Sequence, residues 1–482
     1  MTRTAATTLK LLKGTDLMKT TRTLSAAAVI SLLSLPAFAQ DGGISADSAF
    51  VFNTLLFLIG GFLVMWMAAG FAMLEAGLVR TKNVSMQCTK NIALFSLAGV
   101  MFTLVGYNVL YPGSWGDGLA EGEVSRWLLD GWVGDPTPYP IKAYDADGNV
   151  ITDTAAGYST GSDFFFQLMF CAATASIVSG ALAERIKLWP FLIFTAILTG
   201  IIYPIVASWQ WGGGVLAAAG FSDFAGSTLV HSCGGWAALA GAILLGSRKG
   251  KFKDGQVHPM PGSSMPLATL GTFILWLGWF GFNGGSQLAL GSVTDADAVS
   301  QIFANTNIAA SGGALAAMFL TQILYGKVDL TMVLNGALAG LVSITAEPLS
   351  PTMIESTLIG AVGGVIVVFT IPLLDRLRID DVVGAIPVHL FAGIWGTIAV
   401  AFNTQTEISE GVSRTVTEQL MVQLYGIGLV GLFTFGASFV LWLVLKGTIG
   451  IRVSEEDEYI GLDAAEIGIE AYPEFGKGSQ SL

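Results

Sequence analysis

The chain has 482 residues, of which 53% are hydrophobic and 12% are charged, and its formal net charge is −12. A soluble globular protein usually has about 25% charged residues, so the composition excludes that class. Apolar runs of roughly 18 or more residues recur along the chain, and each could cross ~30 Å of hydrocarbon as a helix. No basic cluster supports nucleic-acid binding, and the spacing of the three cysteines fits neither a disulfide framework nor a metal site. We therefore predict an all-α polytopic membrane protein.

The first part of the chain has the pattern of a secretory signal peptide. A basic start at Met18 is followed by a short apolar stretch and by an Ala-Phe-Ala sequence that ends at Ala39. This order of basic, apolar and small residues is typical of a cleaved leader. We predict that residues 1–39 are an N-terminal extension and signal peptide, whose removal leaves the new N-terminus outside the cytoplasm.

Eleven apolar runs follow, and each is predicted to be a transmembrane helix. Their ranges are 49–78, 91–111, 164–183, 189–210, 225–246, 265–288, 304–325, 331–346, 355–374, 383–402 and 418–445. Together they form one domain over residues 40–446, and a polar tail, 447–482, follows it. The long acidic segment 112–163 is predicted to be a solvated extracytoplasmic loop with a small hairpin at its DADGN turn.

The basic residues of the short loops predict the orientation. With the N-terminus outside, the cytoplasmic loops hold thirteen Lys and Arg residues and the opposite loops hold three. Cytoplasmic loops of membrane proteins carry such an excess. An odd number of spans then places the C-terminal tail in the cytoplasm.

Two of the three histidines lie in segments with the same pattern. Asp223–Gly235 (DFAGSTLVHSCGG) and Asp381–Gly393 (DVVGAIPVHLFAG) both have Asp first, Gly three residues later, Val at seven, His at eight and Gly at twelve. Five spans separate the two segments, so they enter the membrane from opposite faces. Inverted-topology repeats have this property and place their sites near the midplane. The predicted fold is therefore an inverted five-helix repeat plus a C-terminal eleventh helix.

The distance along each helix predicts the depth of His231 and His389. Eight residues at about 1.5 Å each carry the chain ~12 Å inward, close to half of a ~30 Å hydrocarbon core. Both rings are expected near the bilayer centre, where an ionisable group indicates a functional site. A structural hydrogen bond to a neighbouring helix is the alternative explanation for each ring. The third histidine, His258, lies in a basic loop and is expected on the surface.

These segments resemble one family along their whole length. The run from Asp223 to Arg248 is similar to the signature of the ammonium transporters, which are grouped with the methylammonium permeases and Rhesus proteins. Further similar stretches are EAGLVRTKN at 75–83, GALAERI at 180–186, GWFGFNGGS at 278–286 and GLD at 461–463. The tail departs from the family, which commonly has His-Gly after GLD where this chain has Ile467-Gly468.

The resemblance implies an eleven-helix homotrimer with one narrow hydrophobic pore in each subunit. The family's hydrogen-bonded pore histidines match His231 and His389, and its outer ammonium-binding vestibule matches Trp211, Phe170 and Ser286. The remaining matches are the gate and wall aromatics of the pore and the acid near the vestibule, namely Phe166, Phe282, Trp279 and Asp223.

The expected mechanism follows from these residue types. Aromatic faces attract a bare cation, whereas an ion at the centre of a membrane helix costs about 2.5–3.5 kcal/mol even on the insertion scale. Potassium cannot lose a proton, but ammonium can cross as neutral ammonia. Neutral imidazoles both donate and accept hydrogen bonds, so a histidine pair could bind ammonia and relay the proton. The resemblance implies capture outside, deprotonation and conduction of ammonia into the cytoplasm.

Each candidate site residue also has a simpler explanation. Trp211 and Trp279 fit an interfacial aromatic belt, and Ser286 fits a small packing residue. The three phenylalanines fit lipid-facing or core positions.

The acids have structural explanations too. Asp223 and its counterpart Asp381 fit helix N-caps. Glu75 lies five residues before Arg80, which fits an interfacial ion pair rather than a pore group, and the sequence leaves this open.

Other functions remain as alternatives. The main one is an ammonium-binding membrane sensor that signals through its tail or a partner. A redox protein with haem between the two histidines would have only two candidate ligands, so neither a cofactor nor an enzymatic activity is expected. The expected location is the cell (inner) membrane, where the resemblance implies a cytoplasmic PII-type signalling protein as a partner.

Overall fold

The computed structural model describes residues 44–112, 157–403 and 412–474. Between these ranges it also describes short strand segments, at 127–128, 133–134, 143–144, 150–151 and 407–409. The predicted signal peptide, residues 1–39, lies outside the described residues.

Every predicted apolar run is helical. The helices are α1 (Ala46–Leu78), α2 (Thr81–Leu110), α3 (Thr160–Ala181), α4 (Leu188–Ser208), α5 (Ser227–Leu245), α6 (Met265–Gly285), α7 (Val293–Tyr325), α8 (Leu330–Ile344), α9 (Met353–Arg376), α10 (Ile386–Asn403) and α11 (Val416–Thr448). Within the described ranges, ten are long and apolar enough to cross a membrane. The exception, α8, has 15 residues, and at 1.5 Å per residue it measures about 22 Å. The predicted all-α polytopic membrane fold is confirmed, and the count of eleven spans is compatible with these lengths.

Two helices begin about ten residues earlier than the apolar runs predict. The start of α2 contains Lys82, Gln87 and Lys90, which the hydropathy pattern placed in a loop. Gln87 and Lys90 are buried against other helices, so their polar groups are satisfied inside the bundle. The polar start of α7 is fixed instead by Ser292, whose hydroxyl accepts a hydrogen bond from the Asp295 N–H.

The connections contain four antiparallel hairpins with short strands. They are β1 (Trp127–Leu128) with β2 (Val133–Gly134), β3 (Ala143–Tyr144) with β4 (Val150–Ile151), β5 (Phe252–Lys253) with β6 (Gln256–Val257), and β7 (Glu407–Ser409) with β8 (Val412–Ser413). The strands β3 and β4 flank the DADGN sequence, where the turn residues predict a hairpin.

The first helices of the two repeats, α1 and α6, pack with their backbones close together. A Cβ atom on Gly281 would lie 2.5 Å from the backbone oxygen of Gly60 and 2.4 Å from the side chain of Leu63. Both distances are too short for a carbon atom, so only glycine fits at this position. Small residues at helix crossings let backbones approach in this way inside membranes.

The fifth helices of the repeats, α5 and α10, lie antiparallel in the centre of the bundle. Thr228 at the start of α5 contacts Thr397 in the second half of α10, with 2.6 Å between their hydroxyl oxygens. At the other end, Arg248 after α5 binds Asp380 before α10. We name the two ends of the bundle the Asp223 side and the Asp381 side, after the acids that begin the two segments.

Candidate functional site

Two carboxylates hold the first turns of α5 and α10. Asp223 accepts hydrogen bonds from four consecutive backbone N–H groups, residues 226–229, at 2.7–3.1 Å. Asp381 accepts hydrogen bonds from the N–H groups of Gly384 and Ile386 at 3.1 and 2.7 Å. The first N–H groups of a helix have no partner within it, so these acids satisfy donors that would otherwise be buried unpaired. Burial raises the pKa of Asp223 to about 6, against the four hydrogen bonds that lower it.

The glycine three residues after each Asp has a positive φ. The angle is +113° at Gly226 and +81° at Gly384, a region that side chains disfavour. Each helix then begins with a π-helical segment, Ser227–Ser232 in α5 and Ile386–Phe391 in α10. Such segments occur frequently at functional sites, and here each one contains the histidine.

The two histidines meet between these segments. The Nδ1 atoms of His231 and His389 lie 3.2 Å apart, and the rings are tilted by 26°. A neutral imidazole has one donor and one acceptor, so one ring donates its N–H to the other. The side chains are 1% and 4% exposed. Within the described part of the chain, the buried Nε2 atom of His231 has no hydrogen-bond partner.

Two aromatic rings fix the orientation of His231. Trp279 and Phe282 stack on it, with ring centroids 5.0 and 5.1 Å away. The indole N–H of Trp279 donates a hydrogen bond to the Thr345 hydroxyl at 2.8 Å, so Trp279 is itself held in place. The sequence pattern gave no sign of Thr345, because its role depends on how α8 packs against α6.

A column of three aromatic rings extends from His231 toward the Asp223 side. The ring of Phe170 lies 4.1 Å from that of Phe282 and 4.7 Å from that of Phe166, measured between centroids. All three side chains are buried. Phe282 in turn stacks on His231, so the chain of ring contacts from Phe166 to His231 passes only through phenylalanine side chains.

Of the predicted vestibule residues, Phe170 belongs to this column, and Trp211 and Ser286 lie beside it. Trp211 packs edge-to-face on Phe170 with 5.9 Å between centroids, and its indole N–H donates to the backbone oxygen of Asp223 at 3.2 Å. The Ser286 hydroxyl donates to the backbone oxygen of Phe282 at 2.8 Å, so its lone pairs can accept from a ligand. Trp211 and Ser286 are half-buried, in contrast to the phenylalanines.

Glu75 is not the partner of Arg80. Arg80 forms an ion pair with Glu184 at 2.5 Å, whereas Glu75 is 1% exposed and lies inside the bundle. Its Oε2 atom accepts hydrogen bonds from Gln87, Asn91 and Ser179 at 2.6, 2.9 and 2.8 Å. The interfacial ion pair that the sequence suggested is therefore wrong. Glu75 forms a buried polar cluster with Ser179 of α3 and the polar residues Gln87 and Asn91 of α2 instead.

Lys90 belongs to the same cluster, and the sequence interpretation missed it. Its ammonium group donates to the backbone oxygen of Ser179 at 2.8 Å and lies 4.9 Å from the ring centre of Phe191. The signal for this residue was its position on a helix, where Lys90 and Asn91 follow Gln87 by three and four residues. Residues three and four apart face the same side of a helix, so these polar groups share a face.

Two cavities lie beyond the histidine pair on the Asp381 side. The first has a volume of about 10 Å³, and both His389 and Glu75 line it. The second has a volume of about 340 Å³, and Asp381 lines it with other charged residues of that side. Asn335 and Val383 line both cavities, so the two are neighbours.

Comparison with known proteins places the chain in a family. Residues 55–472 match the Ammonium Transporter Family. The ammonium transporter Amt2 of Archaeoglobus fulgidus is 41% identical over 438 residues, with 87% of each chain covered. An ammonium transporter of Aquifex aeolicus is 32% identical over 448 residues, which cover 92% of this chain and 97% of that one.

Solved structures agree with this relationship. A structure described as a Sensor Amt Protein has a TM-score of 0.77 and 32% identity, and the match covers 88% of this chain and 100% of that chain. Mep2 of Candida albicans has a TM-score of 0.72 and 26% identity over 86% of this chain and 89% of its own. With matches of this extent in sequence and structure, the chain belongs to the Ammonium Transporter Family.

Proposed function

We propose that this protein captures ammonium at an outer aromatic vestibule, deprotonates it and conducts ammonia past the histidine pair into the cytoplasm. The observation that carries the proposal is the contact between His231 and His389 at the end of the aromatic column. Membership of the family supports the substrate, and the geometry supports the path.

Capture is assigned to Trp211, Phe170 and Ser286. A cation over an aromatic face gains about 0.5–1 kcal/mol when exposed and ~2 kcal/mol when desolvated. Trp211 is half-buried beside the buried Phe170, so a cation there keeps some water while it contacts the indole. A lone pair of the Ser286 hydroxyl can accept one N–H of ammonium, because the hydroxyl proton is already donated to Phe282.

The aromatic column supports selection against ions. Phe166, Phe170 and Phe282 offer an ion only ring faces and edges, which do not replace its water. An ion at this depth costs at least the ~2.5–3.5 kcal/mol of the insertion scale. Ammonium avoids this cost by leaving its proton behind, which potassium cannot do.

The histidine pair supports the passage of ammonia and of a proton. The buried Nε2 atom of His231 has no hydrogen-bond partner among the described residues, so it is available to a polar guest. The Nδ1–Nδ1 hydrogen bond connects the rings, so a proton that joins one ring can be matched by a proton that leaves the other. Ammonia and the proton would then cross the same short stretch separately.

The molecular context is proposed from the family and from the basic residues of the loops. The Asp223 side faces outward and the Asp381 side faces the cytoplasm of a cell with an inner membrane. The mature chain, residues 40–482, assembles as a homotrimer, and residues 447–482 form a cytoplasmic tail. A PII-type signalling protein is the proposed partner at the inner mouth, and co-purification of the two tests this assignment.

An ammonium-binding sensor is the second candidate, and one observation favours it. The 32% identity to the Sensor Amt Protein covers 88% of this chain. A sensor binds ammonium at the same vestibule but does not need to move it across the membrane, so a flux measurement separates the two functions.

The test uses the full chain in proteoliposomes on a solid-supported membrane. A jump in ammonium concentration is expected to evoke a current, and an equal jump in potassium is not. The double variant His231→Ala with His389→Ala should lose the ammonium current or admit potassium. An unchanged current with unchanged ion selectivity in that variant would show that the paired site is not the pathway. Ammonium binding without any flux in the unaltered protein would favour the sensor.

A further inference from the structure

One buried carboxylate lies beyond the histidine pair and has no part in the capture of ammonium. Glu75 and His389 line the same cavity of about 10 Å³ on the Asp381 side. The two oxygens of Glu75 have different surroundings. Three donors bind Oε2, whereas the buried Oε1 atom has no hydrogen-bond partner among the residues that the structure describes.

The surroundings of Glu75 fit a carboxylate that carries a charge. Hydrogen bonds to an ionised acceptor are stronger than neutral ones, and Oε2 receives three of them. Lys90 supplies an opposite charge in the same cluster, because its ammonium group and the Glu75 carboxylate both bind Ser179. Gln87 and Asn91, which belong to α2, donate hydrogen bonds to Oε2 of Glu75 and so fix the position of its other oxygen, Oε1.

The small cavity places Glu75 next to His389, and the larger cavity lies beyond it toward the cytoplasmic side. A volume of about 10 Å³ is close to the smallest that holds one water molecule. Asn335 and Val383 separate it from the cavity of about 340 Å³. Glu75 is thus the first described acidic side chain that lines the pathway after His389.

We propose that Glu75 accepts the proton that leaves His389 and passes it to water on the cytoplasmic side. This inference rests on the proposed function, in which the proton and ammonia cross separately. A ring N–H of the protonated pair breaks and an O–H bond forms on Glu75, directly or through one water molecule. The O–H bond then breaks, the proton joins water in the larger cavity, and the carboxylate is restored. Ammonia that reaches the cytoplasm takes up one proton and becomes ammonium.

The first test separates movement of charge from movement of ammonia. Currents are measured on a solid-supported membrane, and the internal pH of the same proteoliposomes is followed with a trapped dye. In Glu75→Gln the ammonium-evoked current should fall about 100-fold or more, the scale of a lost acid–base group. Entry of ammonia, seen as a rise in internal pH above that of empty liposomes, should continue. Glu75→Asp keeps a carboxylate and should retain more current than Glu75→Gln.

The second test separates a proton acceptor from a partner that only balances the charge of Lys90. The double variant Glu75→Gln with Lys90→Met removes both charges from the cluster. A proton acceptor predicts that the current stays low, whereas a charge-balancing role predicts that it recovers. Glu355→Gln is the matched control, because Glu355 is an exposed helix-capping acid away from the pathway, and its current should equal that of the unaltered protein.

The outcomes distinguish this inference from the proposed function. If the unaltered protein gives no ammonium current, the proposed transport mechanism fails. If it gives a current and Glu75→Gln gives the same current, Glu75 is not the acceptor and the transport mechanism stands. Recovery in the double variant, or equal loss of charge and ammonia movement in both Glu75→Gln and Glu75→Asp, would also overturn the inference.

Discussion

Arg248 binds Asp380 through both oxygens of the carboxylate, at 2.9 Å from Nε and 2.9 Å from Nη2. The arginine follows α5 and the acid precedes α10, so this pair joins the end of one repeated segment to the start of the other. Both side chains are buried, and Glu184 lies 3.4 Å from the same guanidinium group. Burial alone would raise the pKa of Asp380, but Arg185 and Arg248 hold it well below its usual range.

Loss of this pair should destabilise the protein. Removal of one partner from a buried pair costs about 3–5 kcal/mol, because the other charge remains buried without compensation. Arg248→Ala should therefore lower the melting temperature in detergent by several degrees or prevent folding, and Arg248→Lys should have a smaller effect. The control is Lys249→Ala, since Lys249 pairs with Glu455 at an exposed position where an ion pair holds the tail locally and contributes little to global stability. Equal melting temperatures for Arg248→Ala and Lys249→Ala would refute this expectation.

Trp211→Leu should weaken the apparent affinity for ammonium. The loss of a cation–π contact worth about 0.5–2 kcal/mol corresponds to roughly a 2- to 30-fold higher concentration for half-maximal current. The maximal current should change less, because Trp211 lies outside the aromatic column. Trp66→Leu is the matched control, since Trp66 is 53% exposed on the apolar surface of α1. An unaltered concentration dependence would remove Trp211 from the vestibule.

Gly226→Ala should disturb the site more than Gly213→Ala. Both glycines have a positive φ, so both substitutions strain the backbone by about 1–2 kcal/mol. A Cβ atom on Gly226 would also lie 2.5 Å from Val230 and 3.2 Å from Trp211, whereas one on Gly213 meets no atom within 4 Å. Gly226→Ala should therefore reduce both the melting temperature and the ammonium current. Equal losses for the two variants would mean that packing around Gly226 is not tight.

Acid should loosen the tail before it breaks the buried Arg248–Asp380 pair. The hydrogen bond and charge of Lys249 lower the pKa of Glu455. A lowered pKa means that the stabilising contribution is complete above the ordinary Glu pKa of about 4.3 and is lost as the pH falls further. The contribution of Asp380 has the same sign but persists to lower pH, because its pKa is lowered further.

Hydrogen exchange measured by mass spectrometry checks this order. Between about pH 6 and pH 3.5, after correction for the intrinsic rate, exchange should increase in Glu455–Ile460 and not in the segment around Asp380. In Lys249→Ala the tail should already exchange faster at about pH 6. Simultaneous loosening of both segments would contradict the assignment.

The sequence pattern was sufficient to predict the helices and the equal depth of the two histidines. Long apolar runs indicate transmembrane helices because backbone N–H and C=O groups in hydrocarbon must form hydrogen bonds within their own segment. This requirement depends only on the sequence of that segment. The common depth of the histidines was predictable because both segments repeat the spacing from Asp to His, and their hydrogen-bonded contact was implied by the family resemblance. The roles of the vestibule and gate residues stay predictions, although the structure places Trp211, Phe170 and Phe282 in one connected group.

The buried polar cluster could not be predicted in the same way. Lys90 lies just before the second predicted span, in a segment that hydropathy placed in a loop, and Glu75 lies near the end of the first predicted span, where an interfacial ion pair with Arg80 was one interpretation. Their burial depends on the packing of α1, α2 and α3, which supplies donors from Gln87 and Ser179. Contacts between distant segments decide such positions, and hydropathy along the chain carries no information about them.

The stacking of Trp279 and Phe282 on His231 has a consequence for coordination. A potassium ion stripped of its hydration shell at this point would meet ring faces and a few imidazole nitrogens. Potassium-selective filters offer successive rings of carbonyl oxygens in place of water, and no comparable set of oxygen ligands surrounds these rings in the described structure. Under the proposed function, selection against potassium would come from this lack of oxygen ligands, and a wider path alone would not conduct potassium.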